Sequence, residues 1–277
     1  MSAIKKKTAL ITGCSDGGLG AAMCRALLEK DYHVFATLRN TSKAGTLTTL
    51  SDVEILELDV TSEESIAQCA EAVRQRTGGT LDMLVNNAGR DYVTPLLDAD
   101  IKKAKKFFDA FAPMVIKAKG VVVNHASVVW NLAIAWDGMY SSSKAAVKQL
   151  SEVLRLELEP LGVRVVTALI AAVDTDIFVN ATRDPFEMPP GSYYAPVWQF
   201  LVDTREGKMQ VKGEPPDVTA RHLVKDILGG ARGCIWHGET SMVCKWGSWL
   251  LPVWVQDILT SGNRGLSELR NYYAKRS

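Results

Sequence analysis

Short apolar runs alternate with longer amphipathic stretches over the first two thirds of this 277-residue chain. This alternation is typical of βαβ units, which build a mostly parallel sheet with helices on both faces. The runs are nearly continuous, as expected for strands buried on both sides. The predicted strands are Thr8 to Thr12, His33 to Leu38, Val53 to Leu58, Leu81 to Asn86, Gly120 to His125 and Val163 to Leu169. The predicted helices are roughly Leu19 to Lys30, Glu63 to Arg76, Asp100 to Lys119 and Ser142 to Leu161. The sequence therefore predicts an α/β fold with a doubly wound, mostly parallel sheet.

A single domain is the expectation for residues 1–277, because the composition is ordinarily globular and α/β folds of this size commonly do not divide. The periodicity fails from Asp174 onward, and the proline-rich stretch that follows ends at Pro216. A long excursion beyond the carboxyl ends of parallel strands usually covers a ligand crevice, so residues of about 174–216 are predicted to form a substrate lid. A helical tail is expected over about 241–277.

The charge balance argues against several classes of partner. With 32 Lys and Arg against 31 Asp and Glu, no global field recruits nucleic acid. The five cysteines form no CxxC pair and favour reduced thiols inside a cell, while the four histidines lack metal-ligand spacing. The first apolar stretch, Ala9 to Ile11, is too short for a signal peptide. We expect a cytoplasmic protein without a metal site.

A glycine-rich turn follows the first predicted strand and leads directly into a helix. Glycines there let backbone amides approach a pyrophosphate, and the helix N-terminus favours its negative charge. An ordinary strand-to-helix turn is the plain alternative, but the position after the first strand favours a dinucleotide site. The candidate cofactor-binding residues of this turn are Gly13, Ser15, Asp16, Gly18, Leu19 and Gly20.

The end of the second predicted strand carries basic residues instead of the acidic residue that would bind a ribose 2′-hydroxyl. Thr37 and Arg39 stand there, with Lys43 close behind. An arginine at this place can pair with a 2′-phosphate, which favours NADP(H) over NAD(H), although a solvated surface arginine is the alternative. Asp59 and Val60 end the third strand, where they are candidates to meet the adenine ring.

Tyr140 and Lys144 lie four residues apart at the start of a long helical pattern, so the phenol and the ammonium share one helix face. A nearby cation favours phenolate and lowers the tyrosine pKa toward the range useful for acid–base work. Ser127 follows the fifth strand and is placed to hydrogen-bond a substrate carbonyl or alcohol. These three residues are the predicted catalytic set.

Together with Asn86-Asn87-Ala88-Gly89 after strand four, these motifs resemble the short-chain dehydrogenase/reductase family over nearly all the chain. The resemblance implies a Rossmann fold, a homo-oligomer, and a Tyr140 that acts as general acid/base, supported by Lys144 and Ser127. It also implies that Tyr140 and Lys144 contact the cofactor. Further implied cofactor contacts are Ile11, Asn87, Ala88, Gly89, Val173 and Thr175. The closer likeness is to fungal members related to acyl-dihydroxyacetone-phosphate reductases, through the turn Gly13 to Gly20, Lys225 to Gly230 and the Trp-rich tail.

One family residue has no counterpart. A fourth catalytic residue, an Asn, usually lies in the helix before the catalytic serine, but Lys105 to Met114 contains none. The interval from Gly89 to Ser127 is also short by roughly a dozen residues, about three whole helical turns. Either another group or solvent replenishes the proton, or the protein has lost redox turnover and is a cofactor-binding or non-redox catalyst; a mis-assigned exon boundary would leave the same gap.

The expected activity is NADPH-dependent reduction of a ketone or aldehyde, in a lipid-like or secondary-metabolite substrate, to an alcohol, or the reverse. The tail from Met242 to Leu259 has two interpretations. Its tryptophans either close the pocket and pack on the lid, which we favour, or form a patch that docks on a lipid surface. Lys245, Gln256 and Asp257 argue against a membrane span.

Overall fold

The computed structural model describes residues 4–88, 101–176 and 188–276, with the backbone alone described for 101–106. Seven parallel strands form one sheet. They are β1 Thr8–Thr12, β2 His33–Leu38, β3 Val53–Glu57, β4 Met83–Asn86, β5 Val121–Ser127, β6 Arg164–Ile170 and β7 Gly233–His237. The predicted fold class is confirmed.

The strand order β3-β2-β1-β4-β5-β6-β7 places the start of the chain in the middle of the sheet. Ile11 on β1 pairs with Ala36 on β2 and with Val85 on β4. The chain runs outward from β1 to β3 and then returns to the other side of β1. This reversal opens a crevice at the carboxyl ends of β1 and β4, which is where doubly wound sheets bind their ligands.

Helices cover both faces of the sheet. In the described part of the chain they are α1 Leu19–Leu28, α2 Glu63–Thr77, α3 Ile101–Ala118, α4 Gly138–Leu158, α5 Trp198–Arg205, α6 Pro216–Leu228, α7 Ser241–Leu250, α8 Val253–Ser261 and α9 Leu266–Ala274. Short 3-10 helices occupy Thr41–Thr49, Val128–Asn131, Glu159–Leu161 and Ala195–Val197.

Two apolar cores result, because successive side chains of a strand point to opposite faces. Ile11 lies in the core beneath α1 and α6, whereas its neighbour Leu10 lies in the core beneath α2 and α3. Both side chains are fully buried. Packing on both faces holds β1 in the middle of the sheet, and the glycine-rich turn follows directly from its end.

The C-terminal third differs most from the sequence-based prediction. β7 was not predicted because it is a short edge strand with only Gly233 fully buried, so it lacks a continuous apolar run. α5 lies inside the predicted lid; it is short and buries only Thr204. The predicted β5 and β6 each end later than expected, at Ser127 and Ile170, because their pairing continues to those residues.

No helix in the described ranges combines the length and apolar character needed to cross a membrane. The Trp-rich stretch of the tail is divided into α7 and α8, and Pro252 lies between them. Each of these helices is much shorter than the roughly 20 residues that a bilayer requires.

Candidate active site

The glycine-rich turn approaches the loop after β4 so closely that side chains are excluded. A Cβ atom on Gly20 would lie 2.5 Å from Asn87 Nδ2 and 2.6 Å from the Gly13 carbonyl oxygen. Gly13 itself has φ +75°, and a Cβ there would lie 2.9 Å from the Ala88 Cα. Glycine is therefore required at both positions for steric reasons as well as for backbone conformation.

The N-terminus of α1 is open toward this turn. Gly18 stands at the N-cap, no side chain caps the helix, and no acidic residue lies in its first turn. Such a terminus attracts an anion through its N–H groups and its dipole. The glycine-rich turn and the uncapped N-terminus of α1 together fit the pyrophosphate of a dinucleotide. Ser15 and Leu19 are half-buried in the same turn.

Asp16 connects the turn to the segment after β2. Its backbone N–H donates to the Lys43 carbonyl at 2.9 Å, and its carboxylate accepts a long hydrogen bond from the Thr46 N–H at 3.4 Å. Gly45 has φ +52°, and a Cβ on it would lie 2.1 Å from the Asp16 carboxylate. Asp16 is exposed, but its carboxylate already has a partner within the chain, and its predicted contact with the cofactor stays a prediction.

The residues at the end of β2 divide into a buried and an exposed group. Thr37 is buried; its hydroxyl donates to the Ile11 carbonyl, and its own carbonyl accepts from the Gly13 and Cys14 N–H groups. Arg39 and Lys43 are exposed beside the turn. Thr37 thus holds the turn in place, while the two cations remain accessible to a phosphate.

Asn87 bonds the loop after β4 to the turn. Its Nδ2 donates to the Thr12 carbonyl at 2.7 Å and to the Gly13 carbonyl at 3.1 Å. The Thr12 hydroxyl accepts from the Asn87 and Ala88 N–H groups. The Asn87 side chain therefore fixes the loop after β4 to the glycine-rich turn, and its Oδ1 faces His125 on β5.

Ser127 lies at the end of β5, and Lys144 on α4 reaches the same strand at His125. Ser127 is buried, and its hydroxyl accepts from the Val129 N–H at 3.4 Å. The Lys144 ammonium donates to the His125 carbonyl at 3.3 Å and lies 5.6 Å from the centre of the Tyr140 ring. Burial lowers the pKa of Lys144. The structure thus brings the three predicted catalytic residues to one edge of the sheet, with the cation beside the phenol.

His125 is a residue of this site that the sequence analysis missed. Its Nδ1 lies 3.1 Å from Asn87 Oδ1, and since Asn87 Nδ2 is already a donor, the network assigns the proton to Nδ1. Nε2 is buried and has no hydrogen-bond partner among the described residues. Burial, with the Lys144 ammonium nearby, lowers the pKa of His125 to about 3. The sequence did offer one indication of this role, since a histidine stands within a predicted buried strand, two residues before Ser127.

The remaining predicted residues have mixed positions. Asp59 accepts from Thr61 just after β3, and Val60 packs on the core beneath α2. Val173 pairs with Glu214, and Thr175 is half-buried after β6. Gly89 lies outside the described residues, as does part of the predicted lid, 177–187.

Neither a fourth catalytic Asn nor a metal-binding cluster is found at this site. No Asn occurs in the sequence of α3, Ile101–Ala118. Among the described side chains, no group of three His, Cys, Asp or Glu residues is placed to hold a metal ion. Among the described residues, the polar groups at this edge of the sheet include those of the turn, Asn87, His125, Ser127 and α4.

Comparison with known proteins gives a consistent result. Residues 7–185 match the family model described as short chain dehydrogenase. The chain is 46% identical over 255 residues to the short-chain dehydrogenase cctT of Talaromyces islandicus, covering 88% of this chain and 89% of that relative. It is 35% identical over 213 residues to the NADPH-dependent 1-acyldihydroxyacetone phosphate reductase of Schizosaccharomyces pombe, covering 72% of each chain.

A solved structure supports the same fold. The short chain dehydrogenase from Burkholderia cenocepacia J2315, in complex with NADP, superposes with a TM-score of 0.65 at 24% identity, covering 90% of this chain and 95% of that one. The family match spans more than half of the sequence, and the resemblance inferred from the motifs is confirmed. The chain belongs to the short-chain dehydrogenase family of oxidoreductases.

Proposed function

We propose that this protein is an NADPH-dependent reductase that converts a ketone or aldehyde to an alcohol. The observation that carries the proposal is the placement of the half-buried Lys144, with its ammonium 5.6 Å from the centre of the Tyr140 ring, at the sheet edge where Ser127 ends β5. A cation beside a phenol stabilises phenolate and makes the phenol a better proton donor. This is the arrangement that carbonyl reduction needs.

Each of the three residues has a distinct role in the proposal. Tyr140 delivers its proton to the substrate oxygen as negative charge develops there. Lys144 supports that transfer electrostatically, and its lowered pKa eases its own loss of a proton. Ser127 donates a hydrogen bond to the same oxygen and orients the carbonyl.

The cofactor would lie across the carboxyl ends of β1 and β4. Gly13 and Gly20 leave room for its pyrophosphate at the N-terminus of α1, and the exposed Arg39 and Lys43 are available to a 2′-phosphate. The Schizosaccharomyces pombe relative is named as NADPH-dependent, which supports a preference for NADPH over NADH. NADPH, when bound, supplies the hydride.

The proposed substrate is a lipid-like or secondary-metabolite carbonyl compound. The support is the 35% identity to a relative named for reducing an acyldihydroxyacetone phosphate, a ketone that carries an acyl chain. The exposed apolar side chains of α7 and α8, near the end of β5, agree with an apolar substrate.

The test is oxidation of NADPH by purified protein against a panel of ketones and aldehydes, with NADH assayed in parallel. Tyr140→Phe removes the proton donor and keeps the ring, so we expect turnover to fall by about 10²–10⁴-fold. NADPH affinity, measured by fluorescence titration, should change little. Turnover by Tyr140→Phe equal to that of the wild type would refute the assignment of Tyr140.

A second candidate function is cofactor binding without redox turnover. The observation in its favour is that α3 contains no Asn at all, so the proton supply usual in this family has lost one member. Tight NADPH binding with no turnover on any carbonyl would support this second function.

A further inference from the structure

The helices α7 and α8 carry a patch of apolar side chains that face solvent. We call residues 242–259 the Trp-rich segment. Trp249 is 82% exposed and Trp254 is 66% exposed, and Val243, Leu250, Val253 and Leu259 are more than two-thirds exposed. Single exposed apolar residues are common, but a run of them along two consecutive helices marks an interaction surface.

The Trp-rich segment is fixed beside the candidate active site. The Ala135 N–H donates to the Ser261 hydroxyl at 3.0 Å, and the Thr260 hydroxyl donates to the Ala133 carbonyl at 2.7 Å. The Trp136 indole N–H donates to the Arg264 carbonyl at 2.9 Å. These bonds tie the end of α8 to residues 133–136, which lie between Ser127 and Tyr140 in the chain.

The charge of the tail indicates what the patch contacts. Residues 241–277 contain five Lys or Arg, of which Arg264 is buried, and two Asp or Glu, although the whole chain has a net charge of only +1. Within the Trp-rich segment the charged residues are Lys245, whose ammonium lies 5.2 Å from the centre of the Trp246 ring, and the exposed Asp257. Arg270, Lys275 and Arg276 follow on and after α9 and are exposed.

This chemistry matches a lipid surface. Tryptophan prefers the boundary between acyl chains and headgroups, and basic residues beside it are attracted to anionic lipids. The exposed face of α4 provides the contrast: Leu150, Val153 and Leu156 lie there, and no tryptophan occurs in that helix. An aliphatic face without tryptophan lacks the residue that prefers the headgroup boundary.

We propose that the Trp-rich segment docks on an anionic lipid surface and holds residues 133–136, between Ser127 and Tyr140, beside that surface. The helices lie in the interface and do not span it, in agreement with their length. This inference is independent of the proposed reductase activity, since vesicle binding requires neither cofactor nor turnover.

The experiment is flotation of the full-length protein with vesicles of phosphatidylcholine and phosphatidylserine, compared with phosphatidylcholine alone. We expect the wild type to float with the mixed vesicles and less with the neutral ones. The variant Trp249→Ser/Leu250→Ser/Trp254→Ser should bind at least about tenfold more weakly, because each of these side chains adds appreciable apolar burial. Quenching of tryptophan fluorescence by brominated phosphatidylcholine tests the insertion of the wild type without any substitution.

The matched control is Leu150→Ser/Val153→Ser/Leu156→Ser, which removes a similarly exposed apolar face from α4. It should float like the wild type. Failure of the wild type to float, or an equal loss in both variants, would overturn the proposal. So would a loss of dimer on gel filtration caused by the tail variant alone, since the Trp-rich segment would then be a subunit contact.

Discussion

The region around the turn after β1 and the C-terminal tail use polar and apolar groups in opposite ways. Around Asn87 and His125 polar groups are buried and bonded to one another, from the turn after β1 to Lys144 on α4. In the Trp-rich segment large apolar side chains face solvent. The first region is specified by contacts within the chain, so changes there should affect folding. The second is specified by what it meets outside, so changes there should leave folding intact.

The largest expected effect on stability is the pH dependence from His125. Its pKa in the folded protein is about 3, whereas an unfolded histidine titrates near 6.5. Between these values the unfolded state binds a proton that the folded state does not, so the free energy of unfolding falls as pH falls. The slope is about 1.4 kcal/mol for each pH unit, or about 5 kcal/mol over the whole window.

Urea unfolding of the wild type and of His125→Gln between pH 7 and pH 4 measures this effect. Glutamine can still bond Asn87 but does not titrate, and carboxylates contribute alike to both proteins. The wild type should lose more stability on acidification. Parallel pH profiles would show that His125 is not held neutral by the fold.

Gly20→Ala should have the next largest effect. Its Cβ would overlap Asn87 Nδ2 and the Gly13 carbonyl, and the glycine-rich turn would have to open to admit it. We expect a cost of about 1–3 kcal/mol in unfolding free energy and a loss of NADPH affinity. Gly78→Ala is the comparison, because nothing lies within 4 Å of the Cβ there and only its positive φ is strained. Unchanged NADPH affinity in Gly20→Ala would contradict the role assigned to the glycine-rich turn.

The smallest effect is expected for Trp249→Ser in the tail. Since the side chain is 82% exposed, its removal should change the unfolding free energy by no more than about 0.5 kcal/mol. Leu10→Ala, fully buried on β1, should cost about 2–5 kcal/mol in the same melts. A large loss of stability in Trp249→Ser would mean that the tail is packed as a core and would remove the contrast between the two regions.

The sequence predicted the strands and the turn after β1 well, because these are encoded locally. Continuous apolar runs mark β1 and β2. The glycines of the turn indicate a place where the backbone comes too close to its neighbours for side chains. The same reasoning placed Ser127, Tyr140 and Lys144 at one edge of the sheet, because the carboxyl ends of parallel strands share that edge.

The sequence did not predict features that depend on distant partners. His125 is significant only because Asn87, from the loop after β4, faces it. The half-buried edge strand β7 carries no distinctive pattern. The preferred prediction for the tryptophans, packing on the lid, does not describe Trp249 and Trp254, since both face solvent; apolar composition alone cannot tell burial in a core from exposure to a partner.

The bond between Asp16 and Lys43 has a consequence for protein engineering. The backbone that presents Arg39 and Lys43 is joined to the turn after β1 through the Asp16 N–H, and Gly45 is kept small by the Asp16 carboxylate. Loop exchanges intended to switch this protein between the two nicotinamide dinucleotides should therefore transplant residues 12–20 and 37–46 as one unit. If only one of the two segments were exchanged, it would lack the hydrogen bond between residues 16 and 43 that holds its backbone in this conformation.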